Sequence, residues 1–244
     1  MKRLSTKTVA FIGVFAAFHA TLYLISPAFL WRNWAIYLSP IEGAVLGPLA
    51  GFIAALIGSI IGRVLLPSPL WMFGVIAEPL SVMVAGFLTR DKWQPVIALY
   101  GVMFAAYFIS PMGQSLPLWP MLDTIVAVCL VYPAAKLSKN LFGESVKLLP
   151  VSLVIMSFVT VATDGLTRVF MFIPAGLYSS VLGLSPAATA VAFVGGGVDS
   201  FIEDALVVLI TLVVGVPILL ALRKVLNLRK PLSQKKPRDL PPVI

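Results

Sequence analysis

The stretch Ile41–Arg63, IEGAVLGPLAGFIAALIGSIIGR, constrains this chain more than any other. It is apolar for most of its length, yet glycines stand at 43, 47, 51, 58 and 62 and a proline at 48. Proline supplies no N–H and pushes the residue before it out of the α region, so Gly47-Pro48 interrupts any helix that contains it. Inside lipid an interrupted backbone survives only where protein or a water-filled cavity covers it. Gly51, Ala54, Ala55 and Gly58 fall at helical spacing and let a second helix approach closely. The stretch therefore reads as a broken helix enclosed in a bundle, with Gly47, Pro48 and Gly51 as the break. Breaks of this kind often mark where transporters hold their ligands.

The remaining sequence supports a bundle in a bilayer. Hydrophobic residues make up 59% of the 244 and charged residues only 11%, and the mean hydropathy is +1.00. Several apolar runs approach the ~20 residues that a crossing needs. The fold class is an all-α polytopic membrane protein, which excludes soluble enzymes and nucleic-acid binders despite a formal charge of +8. Full spans are expected at Thr8–Ser26, Leu70–Thr89, Gln94–Ser110, Leu118–Ala135, Leu148–Phe172 and Phe201–Leu222. These six, with a re-entrant helical segment at about 35–65, form one transmembrane domain over residues 1–222. Residues 173–200, rich in small residues, read as an outer loop with a short helix, and 223–244 as a basic, disordered cytoplasmic tail. The one cysteine, Cys129, permits no internal disulfide, and the one histidine, His19, excludes a His-Glu-x-x-His zinc site. No cofactor or metal is expected. His19 reads as a hydrogen-bonded interior residue.

Orientation follows from Lys and Arg in short loops. With the N-terminus in the cytoplasm, fifteen of the eighteen basic residues fall on that side, and only Arg32, Arg63 and Arg168 remain for the outer half. This requires an even number of crossings, so the broken stretch must enter and return, and both termini are cytoplasmic. Glu42, Glu78, Asp123, Asp164, Asp199, Glu203 and Asp204 all sort to the outer half. Asp164 and Glu78 fall ~24 Å and ~12 Å into their spans at 1.5 Å per residue. Ionisable groups at such depth face a cavity or a partner. The polar part of the bundle thus opens outward, and its net negative charge favours a substrate with cationic character.

From these features the substrate-binding candidates are Glu78, Arg63, Asp164, Arg168, Trp71 and Trp34. Asp164 and Arg168 are four residues apart on one helix face, and either a self-neutralising ion pair or a substrate contact explains them. Glu78 reads as a pocket residue, with Arg63 as the alternative structural partner. Asp123 reads as solvated near the interface. Glu203 and Asp204 read as acids opening a helix at its positive dipole end. Trp31, Trp34, Tyr37, Trp71 and Trp119 read as an interfacial belt, some of which could stack on a planar ligand. Gly13, Ala16 and Ala20 offer a small-residue face for docking a partner, or for packing within the bundle.

The sequence LGPLAGFIAALIGSIIGRVL, followed by the turn LLPSP and a span ending in GFL before the basic loop RDKW, resembles the S components of energy-coupling factor (ECF) transporters. Their Gly-Pro-x-x-Gly is matched by Gly47, Pro48 and Gly51. Their basic N-terminus and alanine-rich first helix are matched by Lys2, Arg3, Lys7 and Ala16-x-x-x-Ala20. The resemblance covers roughly the first ninety residues. It implies a small-molecule nutrient such as a vitamin, captured outside the cell at a prokaryotic plasma membrane. It also implies docking of the first helix on a transmembrane coupling subunit driven by two ATPases. The family has six segments, and counting both arms of the broken stretch this chain has eight. The alternative is a membrane sensor or scaffold module with no transported substrate, since sensor modules of histidine kinases also carry Gly-Pro-x-x-Gly. Catalysis has little support: Gly195–Ser200, GGGVDS, lacks the Gly-x-Gly-Asp of intramembrane aspartyl proteases, and no phosphate-binding loop is present.

Overall fold

The apolar runs form helices, because a backbone in lipid must satisfy its own hydrogen bonds. A computed structural model describes residues 6–26, 32–68, 70–143 and 147–225. The helices are α1 (Thr6–Leu24), α2 (Trp34–Leu46), α3 (Pro48–Leu65), α4 (Trp71–Leu88), α5 (Gln94–Ile109), α6 (Pro111–Gln114), α7 (Leu122–Ser138), α8 (Leu149–Phe172), α9 (Leu177–Ser180), α10 (Pro186–Ile210) and α11 (Val216–Val225). Among the described residues there is no strand. Five helical stretches are long and apolar enough to cross a membrane: Pro48–Leu65, Trp71–Leu88, Trp119–Ser138, Leu149–Phe172 and Pro186–Lys224. Thr8–Leu24, Trp34–Leu46 and Gln94–Ile109 are shorter apolar helices.

The break at Gly47-Pro48 is a helix-to-helix turn. Asn33 caps α2 by accepting from the Ile36 N–H at 3.1 Å, and α2 ends where the Gly47 N–H donates to the Gly43 carbonyl at 2.8 Å. Gly47 then adopts φ +82°, a left-handed value that suits glycine, and Pro48 begins α3 where no N–H is required. The Arg90 guanidinium occupies the space where a Gly47 side chain would stand. Gly86 of α4 lies against the Gly47-Pro48 backbone, and Gly43 against the Val82 carbonyl. These glycines bring the backbones of α2 and α4 into contact.

The helix α8 is central, packing against α4, α7 and α10. Its interior face, Leu153, Met156, Val159, Ala162 and Leu166, is fully buried. Its threonines need no external partner for their protons: Thr160, Thr163 and Thr167 donate to the carbonyls four residues back at 2.7–2.8 Å.

Residues 173–200 are mostly helical, which corrects the loop expectation. Only α9 and its flanks are irregular. Ser185 caps α10 by accepting from the Ala188 N–H at 3.3 Å, and Pro186 takes its first turn. The three glycines at 195–197 break nothing, because Gly197 seats its bare face against Pro120. The helix runs on through a π-helical turn, Thr211–Gly215, into α11. At that turn the Thr211 hydroxyl donates to the Tyr37 carbonyl at 3.0 Å, and Gly215 meets Ile41. Glu203 and Asp204 therefore lie deep inside α10 and cap no helix. The tail beyond residue 225 and Trp31 lie outside the described residues.

Candidate functional site

Charged side chains from six elements converge in the interior. His19 of α1 places Nδ1 2.8 Å from Glu42 Oε2 of α2 and Nε2 3.1 Å from Ser59 Oγ of α3. The Ser59 hydroxyl donates to Glu78 Oε2 of α4 at 2.7 Å. Arg63 grips the same carboxylate with both terminal nitrogens, Nη2 to Oε1 at 2.6 Å and Nη1 to Oε2 at 3.0 Å. The forked geometry is the strongest that an arginine and a carboxylate can make. Gly74 permits it, because a side chain there would collide with the Arg63 guanidinium. The Tyr23 ring covers that guanidinium at 4.8 Å. Asn33 Nδ2 adds a bond to Glu78 Oε1 at 3.2 Å.

The network continues toward one end of the bundle. Arg168 of α8 lies 4.0 Å from Glu78 and donates from Nε to Asp164 Oδ2 at 2.6 Å. Arg32, preceding α2, bridges Asp164 of α8 at 2.8 Å and Glu203 of α10 at 3.1 Å. Each of these buried carboxylates thus meets a basic side chain, which is what a low-dielectric interior demands.

Beyond Arg32 and Arg168 lies a cavity of about 300 Å³. Leu70 just before α4, Phe73 of α4, Arg168 and Phe172 of α8, and the middle of α10 from Ala192 to Glu203 wall it. Leu182 and Leu184 of the link before α10 complete the rim. Polar groups on its wall are Arg32, Arg168, Asp123, Asp199, Ser200 and Glu203, beside the aromatic rings of Phe73, Phe172 and Phe193. A largely apolar pocket with a few convergent polar groups is the usual form of a small-molecule site. On its far wall Asp123 accepts from the Ser200 hydroxyl at 2.5 Å and from the Thr124 N–H at 2.7 Å.

The candidate residues divide accordingly. Arg168 lines the cavity, and Asp164 anchors it from behind. Glu78 and Arg63 saturate each other inside the bundle and do not line the cavity, so the structural pairing with Arg63 describes Glu78 and the pocket reading does not. Trp71 is exposed and Trp34 packs edge-on against Tyr37 at 5.9 Å; neither lines the cavity. Tyr37 is fully buried and belongs to no interfacial belt. Asp123, expected to be solvated, is only 6% exposed. The Gly47-Pro48 break holds no part of the cavity: it sits by Arg90, at the opposite end of α4 from Phe73. Ala16 and Ala20 are buried, with the Ala16 carbonyl and His19 lying against Gly58 of α3, so that face is consumed by packing within the bundle. Gly13 and Ala17 stay exposed on the other side of α1. Arg32 and Ser200 are among the cavity residues that escaped the sequence reading. Their partners, Glu203 and Asp123, are 171 and 77 positions away. The one available signal was that Arg32 is one of only three basic residues in the half that the Lys/Arg distribution assigns to the outside.

No protein-family model matches the chain, and no solved structure matches it. The chain is similar to an uncharacterized protein of Methanocaldococcus jannaschii, with 30% identity over 156 residues. That alignment covers 60% of this chain and 52% of the relative, so the chain spans about half the length of the protein it matches.

Proposed function

We propose that this protein is the substrate-binding membrane subunit of an ECF-type importer, which captures a small nutrient such as a vitamin from outside a prokaryotic cell. The observation that carries the reading is the cavity at one end of the bundle. It is walled by aromatic rings and by paired charges, at the end that the Lys/Arg distribution assigns to the outside. The chain binds and does not catalyse. Energy comes from a transmembrane coupling subunit and two ATPases. With Ala16 and Ala20 inside the bundle, the face of α1 left for the coupling subunit is the one carrying Gly13 and Ala17.

Mass spectrometry of small molecules released from the purified full chain identifies the captured compound. Gly196 lines the cavity and has no heavy atom within 4 Å of where a Cβ would stand. Gly196→Leu has room for its Cβ and adds bulk at the lining, and should abolish binding while leaving the size-exclusion profile unchanged. Unaltered affinity in the folded variant would remove the cavity as the site. Gly13→Trp with Ala17→Trp should leave binding intact and stop uptake by cells that also express the coupling subunit and ATPases. Normal uptake by that double variant would free α1 of any docking role.

A further inference from the structure

Asp204 is the one buried carboxylate in α10 that the network does not reach. It is 5% exposed, and its oxygens meet no donor from the protein; the group within hydrogen-bond reach is the Asp123 carboxyl. Its carboxyl faces that of Asp123 across the α7–α10 interface, and its strongest charged neighbours are themselves acids: Asp123, Glu203 and Asp164. Ser200, one helical turn before Asp204, donates to Asp123 Oδ2. Asp123 and Ser200 both line the cavity, and Asp204 lies behind them, off its lining. Glu42, Glu78, Asp164 and Glu203 each touch a histidine or arginine; among the described residues Asp123 and Asp204 form no ion pair. Two adjoining carboxyls in a low-dielectric interior cannot both stay ionised without a positive charge between them.

We infer that Asp123 and Asp204, with Ser200, form a cation subsite in the wall of the cavity that takes the ammonium group of the captured molecule. The inference rests on the cavity being a capture site. A carboxylate offers about four acceptor positions. Asp204 has spent none of its own on a protein donor, and Asp123 has spent one on Thr124 and one on Ser200. An ammonium group brings three donors and no acceptor, which matches this surplus. A divalent metal asks for more: calcium takes six to eight oxygens, and the described residues contain no group of three His, Cys, Asp or Glu suited to a metal. Phe73, Phe172 and Phe193 then surround the body of the molecule. The favoured class is a small organic ammonium compound with an apolar or aromatic body. An alkali cation could fill the same subsite and is separated from it by the test.

The probes are 2-phenylethylammonium, its neutral counterpart 2-phenylethanol, and sodium ion alone, titrated into the full chain in lipid nanodiscs at fixed pH and ionic strength. The ammonium compound should bind at least roughly tenfold more tightly than the alcohol. Asp204→Asn and Asp123→Asn should each erase that preference, and Asp91→Asn, in a distant loop, should keep it. Sodium that raises the unfolding midpoint of the wild type, and fails to do so in Asp204→Asn, identifies an alkali ion as the occupant of the same subsite. Equal affinity of wild type for the ammonium compound and the alcohol, with no sodium response, overturns the inference and needs no variant to fold. So does a preference that survives in both Asn variants. Stabilisation by acidification alone also overturns it: a proton shared by Asp123 and Asp204, which face Glu203, Asp164 and Tyr100, would then neutralise the pair. A retained natural ligand that is anionic and binds Asp204→Asn equally well sinks the subsite and leaves the capture function standing. An ammonium preference that depends on Asp204, with no effect of Gly196→Leu on any ligand, leaves the subsite and sinks the capture function.

Discussion

Two clusters of carboxylates lie within the same bundle, and they are built on opposite terms. Around Glu78 every negative charge meets a positive one: Arg63 and Ser59 hold it, and His19 joins it to Glu42. Around Asp204 the charged neighbours are acids, and no basic side chain meets its oxygens. The first cluster lies among α1, α2, α3 and α4 and does not touch the cavity; the second lies between α7 and α10 and shares its wall. The difference teaches how to separate a strut from a site. Buried charge in a membrane protein is expensive wherever it occurs. Where the protein compensates it internally, the charge holds helices together. Where it leaves the charge uncompensated beside a cavity, a proton or a bound cation has to supply the balance.

The largest expected effect breaks the strut. Arg63→Met leaves the Glu78 carboxylate buried with neutral donors, His19 and the Arg168 guanidinium at the longer distance of 4.0 Å. Breaking one partner of a buried pair typically costs ~3–5 kcal/mol. Thermal unfolding of the purified protein should show a large drop in midpoint or a loss of folded yield. Arg63→Met combined with Glu78→Leu should recover much of the loss, because a packed apolar pair carries no stranded charge. A double variant as unstable as the single would mean that the arginine acts by its packing, for instance under the Tyr23 ring, and not by its charge.

The second effect should be smaller and of the opposite sign. Asp123→Asn also removes one charge from a buried carboxylate cluster. Asn still offers a carbonyl oxygen to the Thr124 N–H, and Asp204 loses its nearest negative neighbour. Without an added cation the unfolding free energy should rise, or fall by no more than ~1 kcal/mol. A loss as large as that of Arg63→Met would show that the two clusters are built alike and would erase the distinction between strut and site.

Much of the bundle was legible in the sequence, and the reasons are local. Hydropathy and Lys/Arg placement mark the helices, and Gly47-Pro48 marks the α2–α3 turn because proline and a left-handed glycine leave the chain little choice. Asp164 and Arg168 are paired as their i, i+4 spacing suggests. His19 is interior and hydrogen-bonded, as a lone histidine in a span should be. What stayed hidden depends on distant packing. Gly195–Gly197 suggest a loop when only propensity is counted, yet they form helix because Pro120 fits against Gly197. Asp123 looks interfacial from its position at the start of a span, and α10 covers it. Glu78 looks unpartnered within one turn of its own helix, while its partners arrive from α1, α3 and the segment before α2. Ala16 and Ala20 look like a docking face until α3 is seen to occupy it.

The smallest effect belongs to an ion pair that water can reach. Asp91, in the loop after α4, accepts from Lys136 of α7 at 3.0 Å, with Lys139 at 3.5 Å. Lys136 is 39% exposed and Asp91 28%. The hydrogen bond from Lys136 holds the Asp91 carboxyl below its usual pKa. A carboxylate whose pKa is depressed by folding adds stability above its unfolded pKa and loses it as the pH falls through the folded value. Lys136→Met should therefore lower the unfolding midpoint slightly at neutral pH. The gap from wild type should close as the pH drops below about 4, where carboxyl groups begin to protonate. High salt should close it at neutral pH as well, because exposed charges are screened. Neither treatment should close the gap between wild type and Arg63→Met to the same extent, since neither ions nor water reach the Glu78 carboxylate. If Lys136→Met proved as damaging as Arg63→Met, burial would not be what separates these pairs, and the contrast between compensated strut and open site would lose its physical basis.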